Sequence, residues 1–160
     1  QSPARIAVET LSATWASGEK ASASGPSMLI TPTSLSRLSS GMAISACTPG
    51  VLALRIDESL VFTNARRLAG VVAQHLAALP DTRRVVLLMS PVNSIDFSAL
   101  EALRSLHEVL AERGIRLDLS EVKGPVLDRL RAGGWEQWFR GRVFLSHHQG
   151  MRDEPGETLR

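Results

Sequence analysis

"RVVLLMSPVNSIDFSALEAL", residues 84–103, changes its period in the middle. The first seven residues form a nearly continuous apolar run rich in Val and Leu, the pattern of a central strand covered on both faces. After the junction, Leu100, Leu103, Leu106, Val109 and Leu110 recur at helical spacing, and Gly114 stands where a helix C-cap is expected. Asn93, Asp96 and Ser98 sit on the turn between the two. Polar residues at the carboxyl end of a strand tie down loop backbone or face a ligand. Asx side chains bond readily to nearby amides, which favours backbone ties for Asn93 and Asp96 and makes this a candidate regulatory loop. "SALE" at 98–101 fits a capping box, with Ser98 as N-cap and Glu101 bonding back to it. The same geometry tolerates an anion, so Ser98 is equally a candidate phosphorylation site, where a phosphate would change the local charge by roughly two units.

Upstream, "VLALRI" (51–56) reads as a strand, and "LVF" (60–62) as its continuation past a bulge or as a second short strand. "TNARRLAGVVAQHLAAL" (63–79) then offers Thr63 or Asn64 as N-cap, with Leu68, Val71, Val72, His75, Leu76 and Leu79 on one face. Pro80 and Asp81 end that helix. Downstream, "IRLDLS" (115–120) alternates as a strand does. "GPVLDRLRAGGW" (124–135) places Pro125 in a first helical turn and Gly133 and Gly134 at its end, and "RVFLS" (142–146) is a last short strand. Repeated strand–helix units of this size predict an α/β fold, with helices packed on a parallel or mixed sheet.

The 160 residues, 44% of them hydrophobic, suffice for one core of ordinary size. Between Thr10 and Thr48 there are 15 Ser or Thr and three charged residues, which reads as loop or linker with too little apolar surface to offset its ordering entropy. A net charge of +2 excludes a field strong enough to argue for nucleic acid. Cys47 is the sole cysteine, so no disulfide framework or Cys-based metal site is available, as suits a reducing compartment. No apolar run approaches the roughly 20 residues of a membrane-spanning helix. A chain that starts at Gln1 without a signal-peptide pattern is expected to be a fragment of a longer protein.

Catalytic and metal chemistry find little support. A serine hydrolase elbow has Gly on both sides of the nucleophile, and Ser98 is flanked by Asp96, Phe97, Ala99 and Leu100. His75 is expected as a satisfied, partly buried imidazole, and His107 toward the exposed side of its helix. His147 and His148 are expected to point in opposite directions, which argues against shared metal ligation. No cofactor motif is present, and no catalysis is expected.

From about Pro49 to about His148, "VLALRIDESLVFTNARRL", "VVLLMSPVNSIDFSALEALRSLHEVLAERGIRLDLSEVKGPVLDRL" and "GRVFLSHH" resemble the cytoplasmic STAS domain at the C-terminus of SulP-type anion transporters. The resemblance implies a mixed β-sheet flanked by α-helices. It further implies a non-catalytic role in regulation, trafficking or partner binding at the cytoplasmic face of the inner membrane, while the membrane domain transports sulfate or a related anion. The expected partners are the transporter's own transmembrane domain, a cytoplasmic protein such as an acyl carrier protein, and a second copy in a homodimer; nucleic acid is not expected. The wider superfamily includes anti-sigma factor antagonists, whose phosphoserine lies in an Asp-x-Ser-Gly-Leu motif. Here the matching residues are Asp96, Phe97, Ser98, Ala99 and Leu100, with Ala99 in place of the Gly as is usual in the transporter branch; a free-standing phospho-switch is the alternative reading. The expected organisation is a divergent N-terminal strand ("RIAVE", 5–9) and low-complexity loop over 1–48, the STAS domain over 49–150, and a tail over 151–160. Two compensating frameshifts would also leave the abrupt composition of residues 10–48; translating the other two frames tests this.

Overall fold

The computed structural model describes residues 37–38 and 41–153. Among the described residues, six strands form one mixed sheet in the order of the chain: β1 (Arg37–Leu38), β2 (Met42–Thr48), β3 (Val51–Ile56), β4 (Arg84–Leu88), β5 (Arg116–Ser120) and β6 (Val143–Phe144). β1, β2 and β3 pair antiparallel, and β3 through β6 pair parallel. Between parallel strands the chain must cross over, and it does so through α1 (Phe62–Ala78), α2 (Phe97–Glu112) and α3 (Gly124–Ala132). A short α4 (His147–Arg152) follows β6. The expected α/β fold with helices on a mixed sheet is the fold observed.

Alternation decides which face each strand gives to which helices. Leu52, Leu54, Ile56, Val85, Leu87, Met89, Leu117 and Leu119 point to one side, where they join Leu68, Val72 and Leu76 of α1 and Leu100, Leu103, Leu106 and Leu110 of α2 in one buried cluster. Each such Leu, fully buried, stabilises the fold by about 1.5–3 kcal/mol before entropy is counted. The opposite face carries Ala53, Val86, Leu88, Asp118, Ser120 and Phe144, all buried. α4 lies on this side, and Gly150 comes close to Phe144 and Val86. Pro49–Gly50 joins β2 to β3, and Gly50 takes φ +79°, a conformation that a side chain there would strain.

Three sequence expectations are corrected. The loop reading of residues 10–48 fails at its C-terminal end, because Met42–Thr48 is a full strand hydrogen-bonded to β3. Ser/Thr-rich composition hid the alternation of Met42 and Ile44, and pairing with a buried neighbour outweighs weak local preference. The tail does not begin at residue 151: Met151 and Arg152 are helical, and Asp153 is ion-paired. "LVF" is not a second strand, since Leu60 makes a single parallel bridge to Ile95 and Phe62 already opens α1. The strand expected at residues 5–9 and most of the low-complexity segment lie outside the described residues. Among the described residues, no helix is long and apolar enough to cross a membrane.

Candidate functional site

The carboxyl ends of β3 and β4 deliver two loops to the same corner. Leu60 N–H donates to Ser94 O at 3.1 Å, and Asp96 N–H donates to Leu60 O at 3.2 Å, so the loops are stitched by backbone bonds. Ser94 N–H adds a bond to Ser59 Oγ at 3.2 Å. Asp96 locks the corner. Its Oδ1 accepts from Ala99 N–H at 2.7 Å as the N-cap of α2, and its Oδ2 accepts from Phe62 N–H at 2.8 Å, at the first residue of α1. One carboxylate thereby satisfies orphan amides of two helices and sits at the positive end of both dipoles.

Ser98 is therefore not the N-cap, and the expected capping box with Glu101 is absent. Asp96 has the extended backbone that a cap requires (φ −93°, ψ 173°), whereas Ser98 is already inside the helix. Ser98 is exposed, and its hydroxyl makes no hydrogen bond among the described residues. The backbone ties expected of Asp96 are present. Asn93 has none: its Oδ1 accepts from Lys123 Nζ at 2.5 Å, linking this loop to the start of α3. The N-cap expected at Thr63 or Asn64 is also displaced, to Val61. Asn64 reaches back instead, accepting from Val61 N–H at 2.9 Å and donating to Ser59 O at 2.7 Å.

Two aromatic rings stand at this corner. Phe97 is 74% exposed and Phe62 is 52% exposed, and the Arg66 guanidinium lies 4.9 Å from the Phe62 ring centroid. Sequence periodicity could not reveal this pair, because each Phe is the first residue of its helix, before the apolar stripe begins. Rings held in water by a rigid backbone are available for burial against a partner.

The histidines do not assemble a catalytic or metal site. His107 is buried, 6% exposed, contrary to the expectation of an exposed helix face; its ring packs 5.7 Å from Trp138 and 5.4 Å from Phe139. The "WEQWF" segment after α3 folds back over it. His75 is partly buried as expected but not satisfied, since its Nε2 has no partner among the described residues. The His147 imidazole lies between two hydroxyls, with Nε2 3.1 Å from Ser45 Oγ and Nδ1 3.1 Å from Ser120 Oγ. Burial pushes the His147 imidazole below its ordinary value, against an opposing pull from Glu121. His148 is exposed on the same short helix. No group of three metal-ligating side chains occurs among the described residues.

Comparison with known proteins identifies the family. The STAS domain family model matches residues 43–150. The probable sulfate transporter 4.2 of Arabidopsis thaliana is 36% identical over 109 residues, which are 59% of this chain and only 16% of that protein. A sulfate transporter family protein from Wolinella succinogenes is 28% identical at a TM-score of 0.58, with 68% of this chain and 88% of that chain covered. A putative anti-sigma factor antagonist from Thermotoga maritima shares the fold at 17% identity and a TM-score of 0.58, covering 66% of this chain and 88% of that one. The chain belongs to the STAS domain family and is related to the STAS domains of SulP-type sulfate transporters.

Proposed function

We propose that this domain is the regulatory, protein-interaction part of a SulP-type transporter of sulfate or a related anion, acting without catalysis on the cytoplasmic side of a membrane. The observation that carries the reading is the corner where Phe62, Phe97 and Ser98 are exposed on a backbone tied together by Asp96. A docking face needs apolar rings presented at low conformational cost. A regulated one needs a modifiable group whose alteration breaks nothing inside the fold. Ser98 meets the second need because its hydroxyl is unbonded among the described residues, so a phosphate there would add roughly two negative charges to the face without removing a cap. The transporter's own transmembrane domain is the proposed occupant, with an acyl carrier protein, another cytoplasmic protein or a second copy of the domain as further candidates.

The whole coding sequence tests the reading. It is expected to encode a series of hydrophobic spans ahead of Gln1. A start codon within a few residues of Gln1 would contradict it and favour the second reading, a free-standing phospho-switch, which the shared fold with an anti-sigma factor antagonist and the exposed Ser98 support.

A further inference from the structure

At the other end of the sheet, three arginines converge on one carboxylate oxygen. Arg84 and Arg116 are the first residues of β4 and β5 and stand opposite each other in the ladder; Arg142 immediately precedes β6. Asp153 Oδ1 lies 3.1 Å from Arg84 Nη1, 2.5 Å from Arg116 Nη2 and 3.1 Å from Arg142 Nη1. Asp153 caps the carboxyl end of α4, and Arg84 also donates to the Gly150 carbonyl of that helix. Beneath them Asp118, fully buried, accepts from Arg116 Nε at 3.0 Å and from Arg142 N–H at 2.8 Å.

Two features of this cluster are unbalanced. Among the described residues, three guanidinium charges face two carboxylates, an excess of one positive charge with Asp153 in place and of two without it. Arg84 is the other. Its side chain is only 9% exposed, and its buried Nε has no hydrogen-bond acceptor among the described residues, since Asp118 Oδ2, at 3.4 Å, makes a charge contact without the alignment of a bond. Guanidinium forks suit oxyanions, and a buried N–H without an acceptor is costly.

We propose that Arg84, Arg116 and Arg142 form a binding site for a divalent tetrahedral oxyanion of the sulfate or hydrogen phosphate kind, with Asp153 as its built-in competitor. A dianion in place of Asp153 neutralises the cluster, where a carboxylate leaves it positive, and its four oxygens can serve donors that a single carboxylate does not reach. Its entry removes the ion pairs that hold the end of α4 to the sheet, so occupancy is reported as loosening of α4. The inference is independent of the interaction face, which lies at the opposite ends of the strands.

Titration calorimetry on the 160-residue chain, with sodium sulfate compared with sodium chloride at matched ionic strength, tests it. Asp153→Ala is expected to bind sulfate at least tenfold more tightly than the parent. Adding Arg142→Gln, at the most exposed of the three arginines, is expected to reverse that gain. In the parent, sulfate but not chloride is expected to speed amide exchange at residues 150–153. Should Asp153→Ala not fold, Asp153→Asn removes the charge with little change of shape and carries the same expectation. Equal sulfate binding by parent and variant, or sulfate binding that survives Arg142→Gln, or amide exchange indifferent to sulfate, would overturn the proposal.

Discussion

Asp96 accepts a 2.8 Å hydrogen bond from the backbone N–H of Phe62, 34 residues earlier in the chain, so the cap of α2 also fixes the first turn of α1. Replacing Asp96 by Ala removes both bonds. The cap alone is worth about 0.5–2 kcal/mol, and a bond to a charged acceptor about 1.5–3 kcal/mol, so the loss is expected at about 2–5 kcal/mol. Asp96→Asn separates the two contributions. Asn still caps α2, but its amide nitrogen cannot accept from Phe62 N–H, and an intermediate loss is expected by urea denaturation. An Asn variant as stable as the parent would show that the tie to α1 contributes nothing.

Ser98→Ala is expected to change stability by less than about 0.5 kcal/mol, the range for a surface site that makes no bond. A loss near 1 kcal/mol, as for a true cap, would mean that the Ser98 hydroxyl does hold the helix amide.

Much of the layout was legible because the periods are strong. The apolar run at 84–90, the leucines of α2 and the alternation at 115–120 each correspond to an element seen in the structure, and the family pattern placed Asp96 and Ser98 at the junction. The roles within that junction were not legible. "SALE" satisfies a capping box as text, yet Asp96 takes the cap because the bridge between Leu60 and Ile95 sets where the helix starts, and that bridge joins residues 35 apart. The burial of His107 was not legible for a similar reason: it comes from Trp138 and Phe139, more than 30 residues away. Strand β2 was hidden by composition, and the Asp153 cluster by ion pairs that reach as far back in the chain as Arg84.

Gly141 has no room for a side chain. A Cβ there would fall 1.7 Å from the Leu117 carbonyl oxygen and 2.7 Å from Phe139 Cζ, so backbone on one side and a packed ring on the other would both have to move. Gly141→Ala is expected to cost about 3 kcal/mol, the upper end for overpacking. At Gly133 a Cβ would fall 2.0 Å from Leu100 Cδ2 and 3.3 Å from its Cγ, with the nearest backbone atom at 3.5 Å, so a side chain rather than backbone has to give and Gly133→Ala is expected to cost less. Thermal melts of the two variants check the order; Gly133→Ala as the worse of the pair would contradict it.

Acid should weaken the fold in two stages. Burial holds the imidazoles of His75, His107 and His147 below their ordinary value, so the folded state binds fewer protons than the unfolded chain, and stability is expected to fall as pH drops below about 6.5. Asp153 acts later. Burial alone would raise its carboxyl, but the bond to Arg116 and the charges of Arg116, Arg84 and Arg142 outweigh this and hold it below the ordinary carboxylate range. Its contribution is therefore complete above about pH 4 and lost as pH falls through its lower folded value. Denaturation curves of the parent and Asp153→Asn should differ at pH 7 and converge toward pH 3. A gap that persists unchanged at pH 3 would show that the Asp153 charge is not its source.

Anion uptake by the full-length protein is the measurement that bears on the interaction face at Phe62, Phe97 and Ser98. Phe97→Ala and Ser98→Asp should each leave the domain's melting and the amount of protein in the membrane unchanged, because neither side chain holds the fold together. Both are expected to change the rate of sulfate uptake relative to the parent. Uptake identical to the parent's in both variants, at equal protein amounts, would contradict the account.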